Sequence, residues 1–267
     1  MLCLCCHRLK EIHSMTYPHT VCSLLFASSL SLAWPAAQAQ VPAPASSQWG
    51  LGLGAGLDRK AYRDFDNDVQ ALPLLLFENR YISFFGTTLD AKLPSSGPLS
   101  LRLRARYAND GYEAKDSPFL RGMAERKGGV WVGGAVTWRG SVINASAEAL
   151  AATGDAEGKR VRLELNRQFQ AGAVTITPRV AVHWQDRKFV DYYYGVRPSE
   201  VRAGRAAYAG DAATNVELGL RLGYAVAPRH NVFVDLSATG LGSAIKDSPL
   251  VDRSNQAGIK AGYLYSF

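Results

Sequence analysis

Gln256-Ala257-Gly258-Ile259-Lys260-Ala261-Gly262-Tyr263-Leu264-Tyr265-Ser266-Phe267 closes the chain. In an extended strand Ala257, Ile259, Ala261, Tyr263, Tyr265 and Phe267 share one face. Gln256, Gly258, Lys260, Gly262 and Ser266 share the other, where Leu264 is the one apolar residue. This is period-two alternation carried to the last residue. The apolar face gathers aromatics towards its end, as a strand does where it crosses a membrane interface.

Such a terminal strand resembles the closing strand of outer-membrane β-barrels. In those folds it is read by the barrel assembly machinery, so Tyr263, Tyr265 and Phe267 form the expected assembly signal. An edge strand of a soluble sandwich alternates in the same way, so the rest of the chain must decide.

Upstream, the alternation recurs. Leu99, Leu101, Leu103, Ala105 and Tyr107 face Ser100, Arg102, Arg104 and Arg106. Val161, Leu163 and Leu165 alternate with Arg160, Arg162 and Glu164; Val174 to Trp184 alternates around Thr175, Thr177, Arg179 and His183; Val216 to Tyr224 alternates around Glu217 and Arg221. Trp49, Leu51, Leu53, Ala55 and Leu57 oppose Gly50, Gly52, Gly54 and Gly56, a face that suits close approach of a neighbouring backbone. Further strands are expected at Gln70–Glu78, Tyr81–Leu89, Val130–Trp138, Val142–Ala151, Val232–Ala238 and, short and aromatic, Phe189–Val196. The expectation is an all-β transmembrane antiparallel barrel of about twelve strands (10–14), each roughly ten residues long. The rival is a periplasmic sandwich or jelly roll.

The N-terminus fits export. Val21–Trp34 carries no charge, Arg8 and Lys10 precede it, Pro35 breaks it, and Ala37-Gln38-Ala39 offers a small-x-small cleavage site. The apolar run is too short to span a bilayer. The expected organisation is a signal peptide at 1–39, cleaved near Ala39, a linker at 40–47 and a barrel at 48–267. Met15 is an alternative start. Cys3, Cys5, Cys6 and Cys22 all precede the cleavage site, so the mature chain has no thiol chemistry and no disulfide framework. After Gln40 no apolar run is long enough for a spanning helix, and only helices and closed barrels satisfy their backbones in lipid. The formal charge of +7 is not gathered into runs, which argues for solvated strand faces rather than nucleic-acid binding.

Several segments resemble the MipA/OmpV family, the MltA-interacting protein family of outer-membrane proteins. They are Trp49 to Gly54, the loop with Tyr62 and Asp66 before Leu72-Pro73, Tyr193-Tyr194-Gly195-Val196 with Glu200, and Asp247-Ser248-Pro249-Leu250-Val251. Their order and spacing, spanning about residues 48–267, carry the resemblance. The setting of the first-loop tyrosine, Lys60-Ala61-Tyr62-Arg63, is more charged than the family pattern. The resemblance implies an outer-membrane barrel, and in the family's best-known member a scaffold between a lytic transglycosylase and a murein synthase. It transfers no catalytic residue.

Direct chemistry is weakly signalled. His183 and His230 are the histidines after the cleavage site, and neither has a Gly-x-Ser-x-Gly setting for a lipid hydrolase. Asp64, Asp66 and Asp68 alternate in one loop but lack the glycine and distant glutamate of a calcium loop. No motif calls for a cofactor or a metal. Arg102, Arg104, Arg106, Arg160, Arg162, Arg179 and Arg221 fall on predicted lumen faces with Glu148, Glu164 and Glu217. Lumen charges either pair and fill the interior or leave a narrow anion-biased path for small solutes.

The segment Asn109–Gly129 is long and polar. A count that makes Leu99–Tyr107 the fourth strand puts it on the periplasmic side, where connections are usually short. Either a strand before residue 130 is missing from that count, or the segment is a periplasmic element. In the second case Tyr112, Phe119, Leu120 and Met123 offer apolar contacts for docking murein-processing enzymes.

Overall fold

A computed structural model describes residues 47–267 apart from Asp66. The expected signal peptide, its cysteines, the cleavage site and residues 40–46 lie outside the described residues, as does one aspartate of the candidate calcium loop. The strands are β1 (Gln48–Arg59), β2 (Asp68–Glu78), β3 (Ile82–Phe85), β4 (Thr88–Leu93), β5 (Leu99–Ala108), β6 (Gly129–Arg139) and β7 (Asn144–Thr153). They continue as β8 (Lys159–Asn166), β9 (Phe169–Ala171), β10 (Val174–Gln185), β11 (Ala213–Ala227), β12 (His230–Gly240) and β13 (Asn255–Ser266). Two short helices interrupt them, α1 (Arg187–Tyr194) and α2 (Ser243–Lys246).

Each strand pairs antiparallel with its neighbours. β8 and β9 pair with β10 in one continuous register, Asn166 opposite Arg179 and Phe169 opposite Ile176, and act as a single stave. β13 pairs with β1, from Ala257 opposite Arg59 to Ser266 opposite Gly50, and Phe267 N–H donates to the carbonyl of Trp49 at 2.8 Å. The result is a closed twelve-strand antiparallel barrel. Closure leaves no sheet edge. Gly52 shows why this seam needs glycine: a Cβ there would lie 2.1 Å from the carbonyl oxygen of Tyr263 on β13.

The outer wall is apolar and exposed. Leu99, Leu101, Leu103 and Tyr107 are 46%, 41%, 56% and 50% exposed, while the side chains of Arg104 and Arg106 on the opposite face are 15% and 28% exposed. A large exposed apolar band on a protein with a polar, ion-paired interior is the reverse of a soluble domain, and is what a lipid-facing barrel presents. Among the described residues no helix is long and apolar enough to cross a membrane.

Two sequence expectations are corrected. Tyr81–Leu89 is not one strand: the chain turns at Gly86, which adopts φ +59°, so β3 and β4 form a tight hairpin. Phe189–Val196 is not a strand: Arg187–Tyr194 is a helix, capped by the Asp186 side chain accepting from Phe189 N–H at 2.9 Å. One strand gained and one lost leave the total unchanged but reverse the parity between them. The barrel therefore has a terminus end, with Gln48, Ser266 and short turns such as 94–98 and 140–143, and a loop end. The loop end carries the long connections 60–67, 109–128, 186–212 and 241–254. Asn109–Gly128 thus lies opposite the termini.

Candidate functional site: the loop plug and the charged interior

The long connections fold together as a plug. Their buried side chains include Tyr62, Phe65, Tyr112, Leu120, Met123, Phe189, Val190, Tyr193, Tyr194, Ile245 and Leu250, joined by Trp131 and Leu150 from the strands below. In α1 the buried set Phe189, Val190, Tyr193 and Tyr194 falls on one helical face, which the 3.6-residue period requires. Burying each large side chain contributes roughly 1.5–3 kcal/mol. Tyr62 stands at the centre. It stacks on Tyr194 with centroids 5.4 Å apart, meets Tyr112 edge-on at 4.9 Å, and donates its hydroxyl to the Tyr193 carbonyl at 3.1 Å. Ser248 Oγ donates to the Tyr194 carbonyl at 2.6 Å, and Tyr62 forms a β-bridge with Val251.

A buried ion pair locks the plug. Arg126 and Glu200 are 1% and 4% exposed at their side chains. Arg126 Nη2 donates to both Glu200 oxygens at 3.0 and 2.8 Å. Ala124 N–H and Arg197 N–H add donors at 2.9 and 3.0 Å, and Arg126 Nε reaches the Tyr192 carbonyl at 2.6 Å. Burial alone would raise the Glu200 carboxyl, but the hydrogen bonds from Arg126, Arg197 and Ala124 hold it below the ordinary range. Arg205 sits beside this pair and donates to the carbonyls of Glu200, Phe119 and Arg121 at 2.9, 2.6 and 3.1 Å. Its guanidinium is pushed down by burial. Burial likewise raises Tyr62 well above its ordinary value, and Tyr112 and Tyr194 to about 12.

These contacts correct the docking reading of Tyr112, Phe119, Leu120 and Met123. Tyr112, Leu120 and Met123 are 3%, 0% and 5% exposed, and Phe119 packs against the same cluster under Arg63 and Arg205. Tyr112, Leu120 and Met123 are buried in the plug and Phe119 is partly so, which leaves no continuous apolar patch of the four for a partner.

Below the plug, the interior charges form two networks. In the first, Arg104 forks onto Asp90 with both bonds at 2.7 Å and also meets Glu148. Arg106 holds Glu148 at 3.0 and 2.8 Å, and Arg102 lies 3.5 Å from Asp90. In the second, Arg162 bonds Glu164 and reaches Glu217 at 3.2 Å; Arg179 bonds Glu217 at 2.9 Å and forks onto Asp235 at 3.0 and 2.9 Å. His183 Nε2 is 2.9 Å from Glu217. Arg160 pairs with Asp110 of the plug at 3.0 Å and lies over Trp131. Arg221 is the outlier, 4.0 Å from Asp235. His230 Nδ1 contacts the Tyr263 hydroxyl at 2.7 Å on the wall, far in register from His183. Among the described residues no cluster of three or more metal-ligating side chains occurs.

Sequence reading missed Asp90, Asp235, Arg126, Glu200 as a pair, and Arg205. The first two carried a signal: each is a lone charge between apolar neighbours, Leu89-Asp90-Ala91 and Val234-Asp235-Leu236, at the inward position of the alternation. The plug pair carried none, because its partners lie in irregular loops.

A closed barrel with an exposed apolar wall, aromatic residues near its rim and a charge-paired interior defines a membrane-spanning barrel of the outer-membrane type. The family model of MltA-interacting protein MipA matches residues 51–267, and the chain belongs to that family. It is 26% identical over 228 residues to the putative outer membrane protein YiaT of Escherichia coli, covering 83% of this chain and 92% of the relative. It is 26% identical over 239 residues to the MltA-interacting protein of the same organism, covering 84% and 92%. Among solved structures, the NanC porin aligns over 82% of this chain and 99% of its own, with a TM-score of 0.40 and 6% identity. The protein is an outer-membrane protein. Of the segments that carry the family resemblance, those around Tyr62, Tyr193-Tyr194, Glu200 and Ser248–Val251 converge in the plug, while Trp49 to Gly54 and Leu72-Pro73 lie on β1 and β2 of the wall.

Proposed function

We propose that this protein is a non-conducting outer-membrane barrel that docks periplasmic murein-processing enzymes, a lytic transglycosylase first among them. The observation that carries this reading is the contrast between its two ends. The loop end is filled with packed, buried aromatics and a satisfied ion pair. The terminus end, with the short turns that face the periplasm in such barrels, exposes Arg80, Arg139, Arg167 and Arg229. Arg80 and Arg167 stack on Tyr81 and Phe169, 4.8 and 4.7 Å away. None of these four arginines has a carboxylate partner among the described residues, and the turns carry no Asp or Glu. A basic aromatic rim suits a partner with an acidic surface. A relative of this chain bears the name MltA-interacting protein, which supports a transglycosylase as that partner.

The test is binding of a purified lytic transglycosylase from the same organism to the barrel held in lipid nanodiscs. Saturable binding that weakens with salt, and is lost when the four rim arginines are replaced by Glu, is the expected result. Undiminished binding to the four-Glu variant, or none to the native barrel, overturns the proposal.

A further inference from the structure

At the terminus end the interior departs from the polar lining usual in barrels. Leu76, Phe85, Phe233 and Leu264 occupy inward register positions on β2, β3, β12 and β13, Leu264 lying between the outward Tyr263 and Tyr265. They are partly exposed and take no part in the buried cluster of the plug. Together they form one side of a cavity of about 480 Å³, within the size range of small-molecule sites. The opposite side is polar, with Thr175 and Gln168 beside Arg221.

Arg221 differs from every other interior arginine named above. Its side chain is 43% exposed, against 14–28% for Arg102, Arg104, Arg106, Arg160, Arg162 and Arg179. Its nearest carboxylate, Asp235 at 4.0 Å, is already engaged by both prongs of Arg179. The guanidinium lies 4.2 Å from the centroid of the Phe233 ring, and its one charged contact is that long approach of Nη1 to Asp235. A planar fork held on an aromatic, beside an uncovered apolar wall, is the arrangement that takes an oxyanion attached to an apolar body.

We propose that this cavity binds an amphipathic organic anion, with its anionic head on Arg221 and its apolar body against Phe85, Phe233, Leu76 and Leu264. The plug occupies the other end and the cavity lies at the terminus end, from which the ligand enters. The site is independent of enzyme docking at the rim and stands or falls without it.

Gly223 supplies a control. It lines the cavity, and a Cβ built there meets only Thr175 Cβ at 3.6 Å and its backbone oxygen at 4.0 Å, so Gly223→Leu fills the space without a backbone clash. The experiment is equilibrium dialysis of 2-naphthalenesulfonate, and of neutral 2-naphthol, against the barrel in zwitterionic nanodiscs, with binding to empty nanodiscs subtracted. Heat-modifiable migration confirms that each variant is folded. The expected result is saturable binding of the sulfonate, weakened at least about tenfold by Arg221→Gln, only partly recovered in Arg221→Lys, which keeps the charge but not the planar fork, and abolished by Gly223→Leu. The proposal is overturned by the absence of saturable binding, by naphthol binding as tightly as the sulfonate, or by affinity unchanged in both Arg221→Gln and Gly223→Leu.

Discussion

Arg126 and Glu200, 1% and 4% exposed, meet through one guanidinium nitrogen and two carboxylate oxygens and tie the β5–β6 connection to the β10–β11 connection. With the Tyr62 stack beside it, this pair makes four long loops one packed body.

Breaking that pair on one side should open the plug. Removing one partner of a buried ion pair costs about 3–5 kcal/mol, because the other charge is left buried and unpaired. Glu200→Gln or Arg126→Met should therefore speed amide exchange across 109–128 and 197–212 while the strands stay protected. Unchanged exchange in those loops would show that the pair is not what holds them.

The plug should also loosen in alkali. Tyr112 and Tyr194 are raised by burial from the ordinary 10 to about 12, and Tyr62 is raised as well. A folded-state value above the unfolded one gives stability that is complete below about pH 10 and is lost as the pH climbs through about 12. Ultraviolet titration of tyrosinate should show these rings ionising late and together with loop exposure. Early, independent ionisation would count against their burial.

The register makes a residue-level prediction, because a one-residue slip exchanges the two faces. Cysteine at Leu101 or Leu103, 41% and 56% exposed on the outer wall, should react with a lipid-phase probe. Cysteine at Arg102 or Arg104 should not. The reverse pattern would invert the barrel wall.

Tyr263, Tyr265 and Phe267 are proposed to form the assembly signal. Tyr265 and Phe267 are in T-shaped contact at 5.0 Å, and Phe267 is 61% exposed. Phe267→Asp should reduce the yield of heat-modifiable, membrane-inserted protein several-fold. A normal yield would remove the terminal aromatic from that role.

Much of the barrel was legible because Leu/Arg alternation on β5 or Val/Arg alternation on β8 leaves only one face for lipid. Two places misled. Phe84-Phe85 runs straight into Gly86-Thr87, so continuous apolar character masked a two-residue turn that Gly86 alone makes possible. Phe189 and Tyr192 to Tyr194 favour strands by type, yet Asp186 caps a helix and the buried 189, 190, 193, 194 spacing is helical. The two errors cancel in number and not in parity, so of the two readings left open for Asn109–Gly129 the missed strand before residue 130 is the one that holds. The plug was only half legible: Tyr62, Tyr193-Tyr194 and Ser248–Val251 stood out by family resemblance, but no local pattern says that they touch. An epitope at Ala114 should be reached by antibody on intact cells; access only after the outer membrane is opened would place the segment on the periplasmic side.

The most direct test of the closed barrel is a planar-bilayer conductance recording on the folded protein, alone and as Glu200→Gln. The native barrel should give no ion-conducting steps, and the variant, with its plug loosened, should give at least intermittent ones. Steady conducting steps from the native protein, as large as those of the variant, would contradict the sealed loop end and favour a small-solute pore.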